Sequence, residues 1–196
     1  MNDDIRRLVH ELADLEEELR EKLHQQETRV LYKLEGTRVE FETSVRQAHE
    51  TMRTNVLAWL KGSSWRNLAS APAIYSLIIP FALLDLFVSA YQWLCFPLYR
   101  IPRVRRRRYI VLDRHHLRYL NSIQRLNCVY CGYINGLIAY VREVASRTEQ
   151  YWCPIKHARR VTGSHRRYAD FLDYGDAEDF DRKLAELREQ LRQGAA

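Results

Sequence analysis

The sequence predicts a mainly α-helical protein with one hydrophobic membrane segment and a small N-terminal β-hairpin. Apolar residues recur at helical spacing over most of the chain, one long stretch carries almost no charge, and period-two alternation is confined to residues 29–42. A chain of 196 residues suits one or two small domains. We expect four parts: residues 1–70 (amphipathic helix, hairpin and second helix), 71–99 (apolar segment), 100–175 (basic helical domain) and 176–196 (C-terminal amphipathic helix).

The N-terminal helix is predicted over residues 3–26 from a seam of apolar residues at spacings of three and four. That seam consists of Ile5, Leu8, Leu12, Leu15 and Leu19. Two interpretations are open. Residues 5–19 form a zipper that joins copies of this chain or a different partner, or the helix packs on its own domain. Residues 1–30 carry nine acids against five bases, so this end of the chain is acidic.

The hairpin is predicted from two short alternating runs, Val30–Leu34 and Val39–Phe41, on either side of Glu35–Arg38. A lone two-stranded hairpin is only marginally stable in water. A second helix follows and ends before Gly62, with an apolar face formed by Val45, Ala48, Met52, Val56 and Leu60.

The apolar segment runs from Ala71 to Tyr99 and contains one formal charge, Asp85. About 20 helical residues cross a bilayer, so the segment is long enough for one span and too short for two. Pro80 interrupts the helical hydrogen-bond ladder. The segment is therefore a single transmembrane span, or a re-entrant or interfacial element, and the third reading is a buried helix of a soluble protein. Asp85 is either a proton or ion site, or a structural residue that is protonated or makes a hydrogen bond to another helix.

An arginine-rich stretch follows the apolar segment. Residues 100–118 contain eight arginines and one acid. Such a run beside an apolar segment predicts contact with anionic lipid headgroups, through Arg103, Arg105, Arg106, Arg107 and Arg108. Lipid explains the run more simply than nucleic acid does. The positive-inside rule then places the C-terminal domain on the cytoplasmic side of the membrane.

Three helices are predicted after this stretch. One runs from Asp113 to the first cysteines and another from Ile134 to Tyr151, with Gly132 and Gly136 marking the turn between them. The last helix has an apolar face formed by Phe180, Leu184, Leu187 and Leu191.

Four soft ligands form a C-x2-C … C-x3-H pattern: Cys128, Cys131, Cys153 and His157. This is the number and kind of ligands that a closed tetrahedral zinc site takes. Iron or an iron–sulfur cluster is the alternative cofactor. A metal-free redox pair and plain buried cysteines stay open as well. A continuous helix between the two halves of the pattern would keep them apart, so the site requires that helix to be short.

No secretory signal or lipidation motif is evident, and no phosphate-binding, dinucleotide-binding or hydrolase motif is found in the sequence. We therefore lean against an enzyme. The expected function is a membrane-anchored, non-enzymatic scaffold or accessory protein whose cytoplasmic helical domain is stapled by a metal. A membrane-bound electron-transfer component is the alternative, and a membrane-tethered nucleic-acid binder is the second alternative.

Several strings in residues 70–176 resemble a family of uncharacterised bacterial membrane-associated proteins. The resemblance implies a bacterial source and membrane association, and implies no activity. The strings that carry it are Leu86–Ser89, Cys95–Pro97, Ile101–Val104, Asn127–Tyr133, Arg147–His157 and Tyr174–Asp176.

Overall fold

A computed structural model describes residues 3–27, 32–35, 38–41 and 43–194. The chain is mainly helical, as predicted. The helices are α1 (Asp3–Glu27), α2 (Thr43–Thr51), α3 (Val56–Gly62), α4 (Trp65–Ser76), α5 (Ile78–Tyr99), α6 (Ser122–Trp152) and α7 (Phe180–Gln193). Short 3-10 helices cover Arg106–Arg108, Arg114–His116 and Arg166–Asp170.

Two four-residue strands, β1 (Tyr32–Glu35) and β2 (Arg38–Phe41), pair antiparallel with Tyr32 opposite Phe41. A ribbon of this size has too few contacts to be stable by itself. The fold class therefore rests on the helices.

The chain divides into two compact units, each assembled from separated stretches of sequence. The first unit contains residues 1–24, 87–105 and 139–196. The second unit contains residues 25–86 and 106–138. The long helices α5 and α6 each contribute one part to each unit.

The core of the first unit lies between the C-terminal parts of α5 and α6 and the chain that follows α6. Phe96, Tyr140 and Phe171 are fully buried there. α7 buries Leu184, Leu187 and Leu191, which are three of the four residues of its predicted apolar face. Gln150 on α6 donates to the backbone oxygen of Leu187 at 2.9 Å. The C-terminal helix is therefore part of this core.

In the second unit, α4 lies against the first half of α6. Tyr75 donates a hydrogen bond to the side chain of Asn127, and Tyr130 donates one to the backbone oxygen of Ile74. The residues that precede α6 also pack on this helix, and the backbone of Tyr109 lies directly over Gly136.

The helix predicted from Asp113 and the turn predicted at Gly132 and Gly136 are wrong. One unbroken helix, α6, runs from Ser122 to Trp152. Its start is set by Asn121, whose side chain accepts from the backbone of Gln124 while Gln124 accepts from the backbone of Asn121, both at 2.9 Å. This reciprocal pair satisfies two donors at the helix terminus. Both glycines lie inside the helix. Leu112 lies next to Gly132, and the backbone of Tyr109 lies next to Gly136.

The apolar segment is helical over most of its length, with a division at Leu77 between α4 and α5. Pro80 has no N–H to donate into the preceding turn, which is a physical reason for the division. Trp65–Tyr99 is the one helical stretch among the described residues that is long and apolar enough to cross a membrane.

Candidate functional site

Helix α5 carries a row of polar side chains on its protein-facing side. Asp85, Ser89 and Gln92 follow one another at spacings of four and three, so they share one face of the helix. Gln92 is only 7% exposed. The Asp85 side chain is 13% exposed. The polar residues of this helix therefore face the protein.

The opposite face of α5 is apolar and uncovered. Leu86 is 63% exposed and Phe87 69%. In the most apolar window of Trp65–Tyr99, only 6% of the residues are buried. The other large exposed side chains of α5 are Ile78, Ile79, Leu83, Leu84, Trp93, Leu94 and Leu98. A helix at a water-facing surface has the reverse arrangement, with polar residues outside and apolar residues inside.

The return segment, residues 100–121, folds back after α5. In the first unit it is held by Gln92. The Gln92 amide donates to the backbone oxygen of Val104 at 3.2 Å and accepts from the backbone N–H of Val104 at 2.9 Å. The same amide donates to the hydroxyl of Tyr140 at 2.5 Å. Buried backbone polar groups require hydrogen-bond partners. Here the Gln92 side chain satisfies both the N–H and the C=O of Val104, which lies outside any helix.

In the second unit the return segment is held by an ion pair. Two nitrogens of Arg106 donate to Asp85, Nε at 2.9 and 3.2 Å and Nη2 at 2.5 Å. Tyr133 on α6 also donates to Asp85, at 2.9 Å. The hydrogen bonds to Asp85 raise the pKa of the Arg106 guanidinium above its ordinary value. Burial, followed by the hydrogen bond to Asp85, raises the pKa of Tyr133. Asp85 is therefore a paired carboxylate rather than an isolated charge.

Within the part of the chain that the structure describes, the other predicted lipid-facing arginines are not paired with Asp85. Arg103, Arg105, Arg107 and Arg108 are exposed. Arg103 donates a long hydrogen bond, 3.4 Å, to the backbone oxygen of Trp93. Arg106 thus differs from its neighbours: its charge is used within the protein, whereas theirs faces outward.

The predicted metal ligands are not brought together. Cys128 and Cys131 lie inside α6 rather than at a turn, and Cys153 follows its C-terminus. A helix of 31 residues is about 46 Å long. His157 contacts Tyr168, which accepts from its backbone N–H at 2.6 Å. Within the described residues, no group of three or more His, Cys, Asp or Glu side chains is placed to hold a metal ion.

A buried charge cluster in the first unit was missed by the sequence analysis. Glu143 accepts from Arg147 at 2.8 Å and from Arg167 at 2.9 Å. The three side chains are between 11% and 18% exposed. Burial alone raises the pKa of Glu143, but the hydrogen bonds from Arg167 and Arg147 outweigh it, and the net pKa is lowered. The Glu143–Arg147 spacing of four was the available signal, but Arg167 is distant in sequence.

The predicted zipper on α1 is described only in part. Leu12, Leu15 and Leu19 are each about 60% exposed, and the side chains of Ile5 and Leu8 lie outside the described residues. In the first unit, His10 on α1 lies 3.5 Å from the carboxylate of Asp170. The zipper stays a prediction.

No protein-family model matches this chain, and comparisons with curated proteins and with solved structures found no match.

Proposed function

We propose that this protein is a membrane-surface accessory protein that attaches through the apolar face of α5 and catalyses no reaction itself. The distribution of polarity around α5 carries this proposal. Asp85 and Gln92 face the protein, while Leu86 and Phe87 face outward. The outward face of α5 is less polar than the face that packs on the protein. Such an arrangement suits a helix that contacts the hydrocarbon of a bilayer.

The arrangement that this proposal favours is a helix lying in the plane of the membrane. The arginine run does not simply extend beyond the end of α5. Arg106 folds back and pairs with Asp85, a residue within α5. In a full span, that pair and the exposed arginines next to it would lie within the hydrocarbon, at high free-energy cost. In an interfacial helix, the apolar face enters about 5–10 Å and the charges stay at headgroup depth.

The exposed arginines supply the second part of the attachment. Arg105, Arg107 and Arg108 are exposed. Each basic side chain near an anionic surface contributes about 1 kcal/mol to binding. We propose the cytoplasmic face of a bacterial inner membrane as the location, where anionic lipids are present and thiols stay reduced. The protein would act there as a scaffold or accessory subunit for other proteins.

The proposal does not depend on a metal. The continuous α6 separates Cys128 and Cys131 from Cys153 and His157, so a zinc or iron–sulfur centre at these residues stays a prediction of the sequence. Elemental analysis of the purified protein tests that prediction separately.

Flotation with lipid vesicles tests the attachment. Leu86→Glu together with Phe87→Glu should lower vesicle binding at least about tenfold, because burial of each large apolar side chain is worth about 1.5–3 kcal/mol. Both side chains are more than 60% exposed, so the melting temperature should barely change. Tyr174, 70% exposed, provides the control Tyr174→Glu, which should float like the wild type. Equal flotation of the double variant would overturn the proposal.

Arg107→Gln and Arg106→Gln form a matched pair of variants that should affect different properties, lipid binding and thermal stability. Arg107→Gln should weaken binding to vesicles that contain an anionic phospholipid about fivefold, since one interfacial charge is worth about 1 kcal/mol. Binding to neutral vesicles should not change. Arg106→Gln removes the partner of Asp85 and should lower the melting temperature instead. The account is wrong if both variants affect only lipid binding.

A further inference from the structure

A groove in the first unit runs between α5 and α6. Its volume is about 490 Å³. Val88 and Tyr91 form its α5 wall, and Val141, Ala145 and Trp152 contribute to its α6 wall. The α6 residues recur at spacings of four and seven, so they form one stripe along about three turns of the helix. The groove is thus elongated along the helix axis.

The two hydroxyl groups in the groove wall are already hydrogen-bonded. The Thr148 hydroxyl donates to the backbone oxygen of Val144 at 2.9 Å. Tyr91 lies 3.0 Å from the same hydroxyl and therefore acts as its donor. A ligand in the groove consequently meets a hydrocarbon surface with few hydrogen bonds on offer, and this favours an aliphatic chain over a polar molecule.

One charged residue, Glu149, lines the groove. The Glu149 carboxylate accepts a hydrogen bond from the ring of His165 at 2.8 Å. A carboxylate at this position repels a second carboxylate. The charge therefore disfavours the carboxylate end of a free fatty acid in the groove, whereas the ester end of a phospholipid acyl chain is uncharged.

The groove borders the proposed lipid-facing surface on α5. Tyr91 in the groove wall lies one turn after Phe87 on the same side of the helix. Phe87 is 69% exposed.

We propose that this groove binds one acyl chain of a membrane phospholipid and thereby fixes the protein on the bilayer. The inference rests on the proposed membrane attachment, and its ligand is identified by chemistry alone: a long aliphatic chain attached to a headgroup outside the groove. Occupancy of the groove adds a specific site to the general affinity of the α5 face.

Photolabelling in vesicles tests the inference. The full-length protein is bound to phosphatidylcholine–phosphatidylglycerol vesicles that contain a phospholipid with a diazirine in one acyl chain, and a parallel arm uses the corresponding diazirine fatty acid. We expect the phospholipid to label α6 between Val141 and Cys153 as well as the exposed face of α5. The fatty acid should label the α6 stretch several-fold less.

Ala145→Trp fills the groove from an exposed position on α6, and Ala185→Trp makes the same change at an exposed position of α7. Ala145→Trp should lower α6 labelling several-fold while α5 labelling persists, whereas Ala185→Trp should change neither labelling pattern. Labelled α5 with unlabelled α6 in the wild type overturns the groove and leaves the membrane attachment intact. Labelling of α6 by the fatty acid alone also overturns it. Absence of flotation and of all labelling overturns the attachment itself.

Discussion

Gly136→Ala is expected to destabilise the protein by about 1–3 kcal/mol, the usual cost of forcing extra atoms into a packed site. A Cβ at Gly136 would lie 2.5 Å from the backbone oxygen of Tyr109 and 2.9 Å from the Cα of Ile110. Backbone cannot move aside as a flexible side chain can, so the packing of this stretch on α6 must shift. A fall of several degrees in the melting temperature should follow.

Gly132→Ala is the matched control, one turn earlier on the same helix. Its Cβ would meet the side chain of Leu112 at 3.4 Å, which is ordinary contact. Alanine is favoured over glycine inside a helix by about 0.5–1 kcal/mol. We expect Gly132→Ala to melt at the same temperature or slightly higher. Equal melting temperatures for Gly136→Ala and the wild type would show that the close approach of Tyr109 is absent.

Glu143→Ala is expected to cost about 3–5 kcal/mol, because it leaves two largely buried guanidinium groups without their carboxylate. Arg147 and Arg167 are 16% and 11% exposed and both donate to Glu143. Chemical denaturation of the purified protein measures this loss. The control is Glu186→Ala, which breaks an exposed pair with Arg182 and should cost less than about 1 kcal/mol.

The same carboxylate makes stability depend on pH. The folded-state pKa of Glu143 is lowered from its ordinary value of 4.5. Its stabilisation is therefore complete above pH 4.5 and is lost as the pH falls through the lowered value. The difference in unfolding free energy between the wild type and Glu143→Gln should be constant at neutral pH and shrink below pH 4.5. A difference that instead grows in acid would contradict the assigned ion pairs.

The helical class and the apolar segment could be predicted because they depend on local periodicity. The apolar face of α7 is an example, since Leu184, Leu187 and Leu191 were predicted to share a face and are buried together. The mistake at Gly132 and Gly136 has a physical reason. Glycine in a sequence indicates a turn or a close approach equally well, and only the packed position of Tyr109 distinguishes them.

The candidate site was only partly predictable for a related reason. Asp85 was identified from its charge in an apolar run, but its partner depends on how the return segment folds back. The row of Asp85, Ser89 and Gln92 was visible in the sequence as a spacing of four and three. Asp85 considered without Ser89 and Gln92 does not indicate that the helix has a polar face. The direction in which that face points is a tertiary property.

The depth of α5 in the bilayer tests the central claim most directly. We suggest replacing the four native tryptophans with phenylalanine and introducing Phe87→Trp at a position that is 69% exposed. Phospholipids brominated at different depths then quench this tryptophan according to its distance from each bromine. An in-plane α5 predicts the strongest quenching by bromines near the headgroup end of the acyl chain. No quenching in vesicle-bound protein, or the strongest quenching by bromines at the bilayer centre, would contradict the account.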